Sequence, residues 1–300
     1  MTATQSNGSN HRRRGSSQRT GGSDDREGDS GARPGGTGSS GVWQLFKERR
    51  TRGSLYGAAS YWDSRAAARR GMARSLWPSN TFNALWDERQ RALLVRALGD
   101  VTGRKVLDVG CGTGRVSRWL AEQRGARQVV GVDFSQATVD AARHESSALV
   151  SSGLVTFEQG DVVAGIGTLA AASFDDAIVL GCFSVACKDR AALEKAMANV
   201  ARLVRKGGRV VLLEPIHRSP LLRRVLDLGV EEWVACANAA GLDLDRSDRM
   251  GFVPVRLVFS VRDLPMPIVA PVFGAGERLL DAYPWLDPLA DYKVLLFDRR

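Results

Sequence analysis

Three hundred residues with 44% apolar side chains can bury one large core or two small ones. The formal net charge of +9 is uneven: residues 1–52 carry ten Lys/Arg against five Asp/Glu, so +4 remains on the rest, a weak argument for nucleic acid, which is not the expected partner. No apolar run reaches the length of a membrane span, and Cys111, Cys182, Cys187 and Cys236 form no C-x-x-C pair and no zinc spacing, so free thiols in a reducing cytoplasm are expected, with no metal site.

Residues 1–52 read as a Gly/Ser/Arg-rich tail. Within it, residues 1–41 hold ten Gly and eight Ser and too few apolar side chains to offset the entropy of ordering. Arg12-Arg13-Arg14 is followed by Gly15-Ser16-Ser17-Gln18, the opposite of the apolar stretch an export signal needs. Residues 53–100 read as an N-terminal helical segment. Tyr61 to Leu76 has a helical composition, Pro78-Ser79 breaks it, and a second helix runs from Asn80 to Leu98, with Gly99 as its stop.

Lys105 to Val109 is a short apolar run with one carboxylate, Asp108, and suits a strand buried on both faces. Gly110, Gly112 and Gly114 follow at alternate positions, and a helix begins near Arg115. Strand, glycine turn and helix make a corner in which peptide amides and the positive helix end face a ligand. The spacing is G-x-G-x-G, not the G-x-G-x-x-G of hydride-transfer enzymes, and the Gly-Lys-Ser/Thr of phosphate loops is absent. The second strand, Gln128 to Val132, ends in Asp133-Phe134-Ser135. A carboxylate there, some twenty residues beyond the glycines, suits the two hydroxyls of a ribose, and Phe134 can flank an adenine.

D-x-G-x-G-x-G, from Asp108 to Gly114, resembles the first motif of class I S-adenosylmethionine-dependent methyltransferases. The resemblance spans roughly residues 55 to 215. It implies that S-adenosyl-L-methionine is the cofactor and that Asp108, Gly110, Cys111, Gly112, Gly114, Asp133 and Phe134 hold it. After a third strand, Val155 to Gln159, Asp161 and Val162 match the family's adenine-reading segment. The resemblance also makes the leading helices a cover over the site, so Tyr61, Trp62, Asn83 and Trp86 are candidates for the substrate wall. Aromatics that merely pack the helices would give the same pattern.

A fourth strand, Phe174 to Leu180, runs into Gly181, Cys182, Phe183 and Ser184. Ligands in open parallel sheets bind beyond strand carboxyl ends, so Gly181 and Cys182 read as cofactor-lining and Phe183 and Ser184 as substrate-lining. The Asn/Asp-Pro-Pro-Tyr/Phe of amino-group methylases is absent, and no proline precedes Cys182, so that thiol reads as a lining residue, with a nucleophile as the second reading. Asp189 caps a helix to about Arg205, and a fifth strand, Arg209 to Leu213, leads to Glu214 and His217. These two are the candidate catalytic bases, with a capping or backbone-bonded histidine as the competing reading. Beyond them the pattern predicts a long helix over Pro220 to Ala240, a strand over Val253 to Val261, a helix over Ala275 to Tyr283 and a closing strand over Tyr292 to Phe297.

The expected fold is α/β: a Rossmann-like, seven-stranded, mostly parallel sheet with helices on both faces and an antiparallel final strand. Residues 101–300 form the methyltransferase domain, with 262–290 as a cap inserted between the last two strands. The expected activity is methyl transfer to a small, hydrophobic or lipid-like acceptor at oxygen, carbon or nitrogen, and the apolar insertion also suits peripheral contact with a membrane. The rival readings are an RNA or protein methyltransferase tethered by the basic tail, and a non-catalytic scaffold. Oligomeric state is not legible.

Overall fold

The computed structural model describes residues 58–68, 76–166, 168–218, 222 and 224–300, without the side chains of 59 and 65–68. The tail expected over residues 1–52 lies outside the described residues. The elements are α1 (Ala59–Ala68), α2 (Asn80–Leu98), β1 (Lys105–Val109), α3 (Arg115–Arg124), β2 (Gln128–Asp133), α4 (Gln136–Glu145), α5 (Ser147–Ser151), β3 (Val155–Gln159), β4 (Phe174–Leu180), α6 (Phe183–Ala186), α7 (Arg190–Leu203), β5 (Val204–Glu214), α8 (Val230–Ala239), β6 (Leu242–Phe252), α9 (Val253–Phe259), α10 (Met266–Ala282), a 3-10 turn (Pro284–Leu289) and β7 (Ala290–Arg299).

One seven-stranded sheet, in the order β3-β2-β1-β4-β5-β7-β6, organises the molecule. Strands β1 to β5 pair in parallel, and β7 runs antiparallel to both β5 and β6. The inner strands are apolar because both faces are covered. On one face Val106, Ile178, Val211 and Val294 pack under α2 and α3, together with Trp86, Leu94 and Leu120. On the other, Leu107, Val179, Leu212 and Leu295 pack under α7 and α8, with Met197 and Trp233. The order reverses between β1 and β2 on one side and β4 on the other, which opens a crevice at the carboxyl ends of these strands.

The last third departs from the sequence expectation in three places. No helix spans Pro220 to Ala240: α8 begins only at Val230, after Gly229, whose amide is held by the Glu232 carboxylate at 2.8 Å. The sixth strand is Leu242–Phe252, not Val253–Val261. It escapes detection because it is an edge strand, polar and exposed through most of its length, with a register shift between Leu244 and Arg246. Val253–Phe259 is helical, with Pro254 in the first turn, where no amide is needed. Finally, α10 begins at Met266 and runs through Pro267 and Pro271. Pro267 falls in the permissive first turn, and Pro271 removes one bond on an exposed side.

The insertion between β6 and β7 is therefore helical, from Val253 to Leu289. It is fastened to α2. Phe273 meets Phe82 edge-on at 5.6 Å, Arg89 pairs with Glu277 and Asp281, and the Asp263 carboxylate accepts from the Thr81 amide at 2.9 Å. This fixes α2, and with it Trp86, over the crevice.

Candidate cofactor and acceptor site

The glycine turn after β1 is built by contacts that tolerate no side chain. Gly110, Gly112 and Gly114 all have positive φ, at 71°, 56° and 76°. A Cβ on Gly110 would fall 2.6 Å from Cys182 Cβ, and one on Gly114 would fall 2.4 Å from the Phe157 ring. The Gly110 and Cys111 amides both donate to the Val132 carbonyl, at 2.7 and 3.1 Å, which ties the turn to β2.

Asp133 stands at the end of β2, as expected. Its Oδ2 accepts from the Gly112 amide and its Oδ1 from the Ser135 amide, both at 3.0 Å, so each oxygen keeps a further lone pair for a ligand. Burial raises its carboxyl from the ordinary range, although three backbone amides oppose the shift. Asp108 is more deeply buried, accepts from Ser117 Oγ at 2.6 Å, and is pushed up to about 7, chiefly by desolvation. From above, α1 approaches this corner through Asp63, whose Oδ1 accepts from Ser135 Oγ.

A cavity opens where these elements meet the end of β4. Asp108, Gly110, Cys111, Gly112 and Thr113 line one side, Leu180, Gly181 and Tyr292 another, and Leu76, Trp86, Gln90, Arg115 and Val116 the rest. Arg115 is held by Asp87 and by Gln90 Oε1, and burial lowers its guanidinium to about 10. Burial pushes the thiols of Cys111 and Cys182 well above their usual range, which disfavours the thiolate that a nucleophile needs. Asp161 sits beyond β3, with Oδ1 accepting from the Val163 and Ala164 amides. The side chain of Val162 is buried, and Phe134 is exposed.

Several expected site residues turn out to hold the frame. Glu214 is fully buried, and its carboxylate accepts from the amides of Cys182, Phe183 and Ser184 at 2.8, 2.9 and 3.1 Å. It secures the turn after β4 and has no open path to an acceptor. His217 is buried outside the cavity lining, with Nε2 2.8 Å from the Asp291 carbonyl. Because a carbonyl only accepts, Nε2 carries the proton. The backbone-bonded reading of this histidine is thus the one its geometry matches. Asn83 is buried and exchanges two hydrogen bonds with the Trp77 backbone, at 2.7 and 3.1 Å, so neither end of its amide faces a substrate. Phe183 stacks on Trp233 at 6.4 Å, within the core on the far face of the sheet. The Ser184 side chain is buried against Glu214. Tyr61 and Trp62 are half-buried on α1, edge-on to each other at 5.1 Å. Of the proposed substrate wall, only Trp86 lines the cavity.

Sequence reasoning missed Tyr292, Arg115, Gln90 and Leu76. Nothing near Tyr292 marks it, since it reaches the crevice only through the pairing of β7 with β5. Arg115 follows the glycine string directly and could have been found as the first residue of the helix.

A family model described as a methyltransferase domain matches residues 106–208. An O-methyltransferase of Pyrenophora dematioidea is 32% identical over 161 residues, 54% of this chain and 54% of that protein. A 2-phytyl-1,4-naphtoquinone methyltransferase of Synechococcus elongatus is 29% identical over 141 residues, 46% of this chain and 58% of that protein. The chain thus spans little more than half the length of these relatives. Among solved structures, geranyl diphosphate C-methyltransferase from Streptomyces coelicolor superposes with a TM-score of 0.52 at 14% identity, over 78% of this chain and 86% of that one. The cyclase SpnF superposes with a TM-score of 0.53 at 17% identity, over 84% and 96%. At such identities the likeness is one of fold alone. The match over residues 106–208 covers about a third of the chain and, with the strand order and the glycine turn after β1, makes this stretch similar to a methyltransferase domain.

Proposed function

We propose that the chain is a methyltransferase that uses S-adenosyl-L-methionine to methylate a small, largely apolar acceptor at oxygen, carbon or nitrogen. The observation that carries this reading is the cavity at the carboxyl ends of β1 and β4, lined by Asp108, the Gly110–Thr113 turn and Gly181. The cradle fits the cofactor: three glycines at positive φ leave bare backbone along it, and Asp133 offers a carboxylate with free lone pairs one hydrogen bond from the turn. In this reading Asp133 holds the ribose, Phe134, Asp161 and Val162 border the adenine, and Asp108, Gly110, Cys111, Gly112, Gly114, Gly181 and Cys182 border the rest. The cofactor supplies a methyl group on a positively charged sulfur.

The protein's part is placement. Leu76, Trp86, Val116 and Leu180 give the cavity apolar walls that exclude water and hold a flat or greasy acceptor. Correct placement alone can contribute about 7–11 kcal/mol to lowering a barrier. With Glu214 and His217 engaged elsewhere, the acceptor's proton leaves before or during binding, not to either of them. The helical insertion exposes Leu257, Val258, Val261, Met266, Ile268 and Val272, which supports an apolar acceptor drawn from, or near, a membrane surface. No helix among the described residues is long and apolar enough to cross a membrane. Four free thiols support a reducing, cytoplasmic setting.

The test is incubation of the full chain with S-adenosylmethionine and a small-molecule extract, followed by mass spectrometry. A metabolite that gains one CH2 unit supports the proposal. The resemblance in fold to a cyclase gives a second reading, a non-methylating enzyme. Tight cofactor binding with no methylated product from any extract would favour it.

A further inference from the structure

Two polar groups in the lining of the cavity are not used by the cofactor reading. Trp86 is fully buried, lines the cavity, and its Nε1–H is sealed from solvent without a hydrogen-bond partner. The Cζ3–Cη2 edge of its ring abuts Gly251 of β6, which turns the pyrrole edge bearing Nε1 away from that strand. Buried donors in folded proteins are almost always satisfied, and an exception calls for a missing partner. Edge-on to Trp86, at 5.0 Å between ring centroids, stands Tyr292. Its hydroxyl lies 3.5 Å from where a Cβ would sit on Gly181, so it overhangs the end of β4.

The state of that hydroxyl is set by Arg224, which hydrogen-bonds to it. A guanidinium can only donate, so the tyrosine oxygen accepts there and its own proton is left to point elsewhere. Gln90 Oε1 already accepts from Arg115, Asp108 Oδ2 from Ser117, and the Glu214 carboxylate from three amides, and Trp86 Nε1 meets no acceptor among the described residues. The Trp86 Nε1–H and the Tyr292 hydroxyl therefore stand side by side in a cavity whose other walls mix apolar side chains with Asp108, Gln90 and Arg115.

We propose that Trp86 Nε1–H and the Tyr292 hydroxyl form a two-donor clamp for the oxygen of a phenolic or enolic acceptor, with Arg224 as the positioning residue that turns the tyrosine proton toward it. Paired donors select lone pairs. A phenolate, enolate or carbonyl oxygen satisfies both, whereas an amine would bring N–H groups against N–H and O–H. The clamp narrows the acceptor to an oxygen-bearing, flat, apolar molecule, and it rests on the methyltransferase reading above.

The experiment uses 4-nitrophenol, whose phenolate absorbs in the visible, titrated into the full chain saturated with S-adenosylhomocysteine. Wild-type protein is expected to bind it and to enrich the phenolate band. Tyr292→Phe and Trp86→Phe are each expected to weaken binding about tenfold or more, because each removes a hydrogen bond to a charged oxygen. Arg224→Gln leaves both donors in place and is expected to cause a smaller loss with a reduced phenolate fraction. The circular dichroism spectrum and thermal midpoint should stay unchanged in Tyr292→Phe and Arg224→Gln, which shows that both variants are folded. 4-Nitroaniline, of the same shape with donors in place of the oxygen, should not bind. Wild-type-like binding of 4-nitrophenol by Tyr292→Phe, equal binding of 4-nitroaniline, or no binding by a wild-type protein that takes up S-adenosylhomocysteine would each overturn the clamp. Failure to take up S-adenosylhomocysteine at all would overturn the cofactor reading, and the clamp with it.

Discussion

Glu214 Oε1 lies 2.8 Å from the amide nitrogen of Cys182, the first of three successive amides that its carboxylate gathers. The end of β5 thereby clamps the turn after β4, on the floor of the crevice. A buried amide left unpaired costs about 1–3 kcal/mol, and Glu214→Ala would strand three. The variant is expected to lose several kcal/mol of stability in denaturant unfolding. A general base would show the opposite signature, full stability with lost turnover, and that result would return Glu214 to the chemistry.

The same burial shapes the response to pH. Desolvation pushes Asp108 and Glu214 up to about 7 and Asp176 up to about 6. Unfolded carboxyls titrate near 4, so as pH rises above that the unfolded chain releases these protons first. Folding stability should fall as pH climbs through this window and level off beyond about 7. Asp291 does not cancel the trend. Burial alone would raise it, but the hydrogen bond from His217 and the charges of Arg256 and Arg224 hold its carboxyl below the usual range, so its contribution is lost only in stronger acid. The thermal midpoint of the cofactor-free protein is expected to be higher near pH 5.5 than near pH 8. A midpoint that rises across that interval would contradict the assignment.

Asn83 tests the division between wall and frame. Both ends of its buried amide are committed to the Trp77 backbone, ahead of α2. Asn83→Ala should therefore cost about 1–3 kcal/mol in stability and leave affinity for S-adenosylhomocysteine unchanged. Unaltered thermal stability in this variant would show that the pairing with Trp77 is not what the residue is for.

Much of the fold was legible in the chain, and for a physical reason. β1 and β4 fall close to where the apolar runs do, because a parallel strand covered on both faces is mostly apolar, while β3, at the edge of the sheet, shows alternation, with Val155 and Phe157 buried. The glycine turn was legible because backbone at positive φ, crowded by Cys182 and Phe157, admits only glycine, and Asp133 ties the end of β2 to that turn. Strand β6 was not, since an edge strand with a solvated face carries Asp, Arg and Ser in place of the alternation that marks it. Glu214, His217, Asn83 and Phe183 are engaged away from the cavity for one common reason. Each stands near the crevice in chain order, but its side chain turns into the frame, and direction depends on partners distant in sequence, such as Asp291 and Trp233. Tyr292 was overlooked for the converse reason.

The exposed apolar residues of the insertion make contact with a lipid surface measurable. If Val258 and Ile268, both more than half exposed, enter an acyl boundary, the double variant Val258→Asp and Ile268→Asp should sediment less with phosphatidylglycerol vesicles than the wild type. Equal sedimentation would leave the patch to the acceptor or to another protein.

The most direct measurement is calorimetric titration of S-adenosylhomocysteine into the full chain and into Asp133→Ala. The variant loses the proposed ribose acceptor and also frees the Gly112 amide from its 3.0 Å bond. Saturable binding by the wild type, weakened about tenfold or more in a variant that keeps its circular dichroism spectrum, is the predicted result. No heat from the wild type, or equal affinity in the two proteins, would contradict the placement of the cofactor in this crevice.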